Sequence, residues 1–93
     1  MRRLALVVSC MAALAAPAAA AAATEDRGIV LRVFPGRIAI RELDGTRATF
    51  SADRATTITL DGRRVRLRRL RRGDVAIVDH VGRLATVIQA TRP

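Results

Sequence analysis

The sequence predicts an all-β fold, a small antiparallel barrel of six or seven strands carrying one short helical turn. Three observations predict it. Beyond residue 23, no segment keeps its apolar residues at the 3.6-residue helical period, while apolar and polar residues alternate throughout. Turn-forming pairs interrupt that alternation roughly every 8–12 residues, as in small sandwiches and barrels. The residues from Thr24 onward hold 21 Val, Ile, Leu or Phe, enough for one compact core and too few to enclose a large ligand cavity.

The first 23 residues stand apart from this pattern. Arg2 and Arg3 are their only charges, and an apolar run from Leu4 to Ala16 follows. Pro17 breaks the run, and alanines lead to Ala21-Ala22-Ala23 just before Thr24-Glu25-Asp26. A basic start, a short apolar stretch and a small-residue end describe a secretory signal peptide. The expected domains are therefore residues 1–23, a signal peptide, and residues 24–93, one small β-barrel domain. Export would be to a periplasm, cell envelope or the exterior. Residues 4–23 would suffice in length for an uncleaved anchor, but alanine dominates them and Pro17 interrupts them. Val7-Val8-Ser9-Cys10 looks like a lipidation site, but only six apolar-segment residues precede Cys10.

Seven strands are expected from residue 28 onward. Gly28–Phe34 and Arg37–Glu42 flank the Pro35-Gly36 turn. For Ile38 and Ile40 to share a face with Phe50 and Ala48, the strand over 46–52 must follow a three-residue loop, Leu43-Asp44-Gly45. Thr56–Leu60 and Arg63–Arg68 flank Asp61-Gly62, and matching Ile58 to Val65 demands a two-residue type I′ turn. Leu67 and Leu70, three apart, predict one helical turn that plugs the barrel with Leu70. Asp74–Val81 and Arg83–Thr91 close the set around Gly82. Leu31 and Val33 are expected inside. Val78 and Val81 are expected on the non-core face of a strand that is apolar on both sides.

These residues carry a resemblance. Gly28-x-Val30, Ile38-x-Ile40 before Asp44-Gly45, Thr56-Thr57 before Asp61-Gly62, Leu67-x-x-Leu70-x-x-Gly73-Asp74-x-Ala76-x-Val78 and Ala85-x-x-Ile88 are similar to a family of small secreted bacterial OB-like β-barrel domains of unknown function. The resemblance spans residues 28–91. It implies an OB-like fold and an exported binding or interaction module, and it implies no catalytic residues. The many arginines around Leu67 and Leu70 depart from the family's usual pattern.

Few residues suit catalysis or metal binding. Ser51 and His80 are the only serine and histidine after residue 23, and no nucleophile elbow surrounds Ser51. Asp44, Asp53 and Asp61 stand where aspartate serves turns. Asp79 and His80 are strand neighbours, so they point to opposite faces. The only cysteine is Cys10, so no disulfide within the chain is possible. We expect a non-enzymatic chain without cofactor or metal.

The charge is more informative. Seventeen arginines and no lysines face 8 acids, giving a formal charge of +9, which falls to +7 without Arg2 and Arg3. Codon choice in a GC-rich genome accounts for the absence of lysine. It does not account for Arg63, Arg64, Arg66, Arg68, Arg69, Arg71 and Arg72, seven arginines in ten positions with no acid among them. Arg64, Arg66 and Arg68 are expected along the outer face of one strand. A second basic face is expected from Arg32, Phe34, Arg37, Arg41 and Arg47. Arginine's planar fork suits phosphate and carboxylate oxygens. The expected partners are an anionic envelope polymer, lipid headgroups or an acidic protein. Specific nucleic-acid binding is not expected, because only Phe34 could stack a base. Two readings compete with this one: the arginines as a solvated face that blunts strand edges, and an assembly module working through strand edges or apolar contacts.

Overall fold

The computed structural model describes residues 23–93. The signal-peptide expectation, and with it the anchor and Cys10 alternatives, lies on residues 1–23, essentially outside the described part. The rest is all-β, seven strands and one 3-10 turn: β1 (Thr24–Phe34), β2 (Arg37–Glu42), β3 (Arg47–Ser51), β4 (Thr57–Leu60), β5 (Arg63–Arg64), the turn (Leu67–Arg69), β6 (Val75–Val81) and β7 (Leu84–Thr91). They form one sheet in the order β3-β2-β1-β6-β7-β4-β5. Ser51 also bridges to Leu84, curling the sheet into a partial, barrel-like ring. The Ser51 N–H donates to the Arg83 carbonyl at 2.7 Å there.

The two hairpin registers are those the core pattern demands. Ile38 faces Phe50 and Ile40 faces Ala48 across a loop in which Gly45 takes φ +90°. Leu60 faces Arg63, with Asp61 and Gly62 both at positive φ, the signature of a type I′ turn. Leu70 is buried beneath the 3-10 turn as expected.

Four expectations need correction. The strands are not all antiparallel, because β4 runs parallel to β7, as does the Ser51–Leu84 bridge. The strand expected over 63–68 ends at Arg64. Its partner β4 has only four residues, and the Val65 N–H to Ile58 carbonyl bond (3.0 Å) comes last before the 3-10 turn begins. Arg64, Arg66 and Arg68 therefore do not line one strand face. Leu31 is not in the core. A bulge between Val30 and Arg32 places Val30 inside and Leu31 part-exposed, while Val33 packs inward again beyond it. Finally, Val78 is fully buried. It shares the inner face with Asp74 and Ala76, leaving Val75 and Val81 partly exposed.

β1 also begins earlier than the alternation implied. Thr24–Arg27 pair with Ile77–His80. Apolar Val30, Ile38, Ile40, Phe50, Ala76, Val78, Ala85 and Ile88 fill the ring.

Candidate functional site: an arginine-rimmed cleft

The bulge in β1 and the 3-10 turn meet at one end of the sheet. The Val30 N–H donates to the Asp74 carbonyl (2.8 Å), and the Gly73 N–H donates to the Val30 carbonyl (2.9 Å). These bonds fix the end of the 66–72 segment against β1, and the β1–β2 turn faces that segment. Between them lies a cleft of about 900 Å³. Its apolar lining comes from Leu31, Val33, Phe34, Leu67 and Leu70. Arg32, Arg66, Arg68, Arg71 and Arg72 rim it. All five arginines are exposed, and none forms an ion pair among the described residues.

Phe34 organises part of the rim. The Arg32 guanidinium lies 4.8 Å from its ring centroid and that of Arg37 5.0 Å, both within cation–π range. Those contacts restrain the two side chains.

The structure brings most of the expected arginines together, in a different arrangement. Arg66, Arg68, Arg71 and Arg72 reach the cleft. Arg63, Arg64 and Arg69 line a neighbouring hollow with Arg66 and Arg68. Arg41 faces Arg47 across β2 and β3, a like-charge pair that costs stability without an intervening counter-ion. These two share a second hollow with Leu31, Arg32, Phe34 and Arg72. Arg72 and Arg32 therefore join two basic faces that the sequence presents as separate. Leu31 is the residue sequence reasoning missed, because its place depends on the bulge. The spacing Val30-x-x-Val33, three where a regular strand gives two, is the signal that could have found it.

Behind the rim, Asp74 anchors the segment. It is 2% exposed and accepts from Arg92 at both carboxylate oxygens, at 2.9 and 3.0 Å. The Arg71 N–H donates to it at 2.8 Å. The Arg92 hydrogen bonds, and secondarily the Arg71 N–H, hold the Asp74 carboxyl below its ordinary range against the opposing effect of burial. Arg92 also donates to the Arg69 carbonyl at 3.1 Å.

The remaining polar residues are committed elsewhere. His80 places Nε2 at 2.8 Å from Asp26 and Nδ1 at 2.8 Å from the Gly82 carbonyl, with its ring on Phe50. Neither ring nitrogen is left for Ser51, which alternates with Phe50 onto the opposite face. Glu42 lies close to this group, and its pKa is raised by desolvation and by Asp26 and Asp44. Asp44 accepts from the Thr46 N–H and Asp53 from the Ala55 N–H, each at 2.9 Å, closing their turns. Among the described residues no cluster of three or more metal-ligating side chains converges. No helix among them is long and apolar enough to cross a membrane.

No family model, curated protein or solved structure matches the chain.

Proposed function

We propose that the chain is an exported, non-enzymatic binding module that contacts an anionic component of the cell envelope through its arginine-rich end. One observation carries this reading. Five unpaired guanidiniums from two segments far apart in sequence converge on one cleft. A merely solvated charged surface gains nothing from gathering like charges, which repel. The export half of the reading rests on the signal-like residues 1–23. The resemblance to small secreted OB-like domains points the same way.

Replacing Arg64, Arg66, Arg68, Arg69, Arg71 and Arg72 with Gln tests the binding half. The wild-type protein is expected to elute from a polyanion column, or release from anionic liposomes, at clearly higher salt than this variant. Equal elution points would sink the reading. N-terminal sequencing of exported protein tests the other half, with Thr24 as the expected first residue.

The assembly reading keeps one specific support. Ile29 and Val75, paired across β1 and β6, are 48% and 39% exposed, and Val81 and Leu84 pair at 38% and 39%. It loses Val78, which is in the core. It requires an oligomer that survives high salt, which light scattering after size exclusion would detect.

A further inference from the structure

A purely hydrophilic polyanion leaves half of the cleft unused. Phosphate or carboxylate groups would satisfy the rim, but they have no use for the part-exposed Leu31, Val33 and Leu67 beneath it. Leu31, Val33 and Leu67 are only part-buried, in a molecule whose core otherwise excludes water well. The bulge leaves Leu31 as an extra residue in the β1 ladder, and its side chain lines this cleft. The volume of about 900 Å³ falls in the range of small-molecule clefts, roughly 300–1,000 Å³. An apolar floor under a ring of guanidiniums is complementary to a molecule with an alkyl chain and an anionic head.

We propose that the cleft between the β1–β2 turn and the 3-10 turn binds a single-chain alkyl phosphate, with the head on the arginine rim and the chain along Leu31, Val33 and Leu67. This rests on the arginine reading above and adds the chain to it. Arg32, Arg66, Arg68, Arg71 and Arg72 supply forked donors that match phosphate oxygens. Arg32 is already restrained by its Phe34 contact, which lowers the ordering cost of binding. Displacing water from the floor supplies the affinity that distinguishes an amphiphile from free phosphate.

The chain contains no Trp or Tyr, so binding is best read by amide NMR of the 15N-labelled protein. Dodecyl phosphate below its micelle concentration is titrated beside butyl phosphate, inorganic phosphate and dodecyltrimethylammonium. Dodecyl phosphate is expected to shift amides in Leu31–Gly36 and Arg66–Arg72. Between butyl and longer chains, affinity should rise about fourfold per methylene while the chain still lies on the floor. Inorganic phosphate and the cationic amphiphile should bind at least about 100-fold more weakly. Leu31→Ser should weaken dodecyl phosphate about tenfold.

Equal affinity for dodecyl and butyl phosphate would overturn the alkyl site. The arginine reading would survive if the column shift still holds. Equal binding of the cationic amphiphile, or shifts confined to the Ile29–Val75 face, would also overturn it. An unchanged dodecyl phosphate affinity in Leu31→Ser would do the same. Equal salt-elution points for the wild type and the six-Gln variant would instead remove the arginine reading itself.

Discussion

Arg92 is the last residue but one, and it holds three separate parts of the chain together. Its guanidinium is bidentate on Asp74 and reaches the Arg69 carbonyl, while its backbone N–H donates to Asp61 at 3.1 Å. Removing it leaves a buried carboxylate with only the Arg71 N–H as donor, a costly change because the charge loses its ion-pair partner. The Arg92 side chain is 35% exposed, so solvent moderates the loss. Arg92→Ala is expected to lower unfolding free energy by about 2 kcal/mol, measured by urea titration at pH 7. Arg92→Lys should recover only part of that, since a point charge cannot bridge both oxygens. The pH dependence has a definite sign. Asp74 has a lower pKa folded than unfolded, so its contribution is fully present above about pH 4 and is lost as pH falls through the folded value. Asp74→Asn should therefore flatten the loss of stability below pH 4. An acid limb as steep as that of the wild type would show that other carboxylates dominate it.

At the scale of elements, the position of each strand depends on irregularities as much as on alternation. Gly28 marks a close approach: a Cβ there would run into the Arg41 carbonyl of β2. Gly28→Ala must push the two strands apart and is expected to cost about 2 kcal/mol. Thermal unfolding would show this, beside Gly82→Ala as a control for positive φ alone. The hairpins of β2–β3 and β4–β5 were legible because turn residues and core faces impose the same register twice over. The bulges were not. Val30 and Val33, and likewise Ala85 and Ile88, lie three apart because Leu31 and Thr86 are extra residues in their ladders. A strict period-2 reading assigns the wrong face on one side of each bulge, and so it puts Leu31 inside. The parallel pairing of β4 with β7 was illegible for another reason. Alternation fixes which face a strand presents, and says nothing about its neighbour or direction. The cleft inherits the first gap: its arginines could be read from sequence, and the place of Leu31 in its floor could not.

For the whole molecule, the arginine excess is an energetic liability as well as a candidate function. Residues 24–93 carry a formal +7, and Arg41–Arg47 and the 66–72 segment concentrate like charge. Self-repulsion of this kind destabilises the compact state. It is screened as the Debye length falls from about 30 Å at 0.01 M salt to about 8 Å at 0.15 M. The thermal midpoint should therefore rise with sodium chloride over that range. Sodium phosphate at equal ionic strength should raise it further, because ligands that bind only the folded state add their binding free energy to stability. The six-Gln variant should start with a higher midpoint in low salt, gain less from chloride and lose the extra response to phosphate. These three responses separate a bound anion from general screening. A wild-type midpoint that responds equally to both salts would mean that the cleft gathers positive charge without holding an anion.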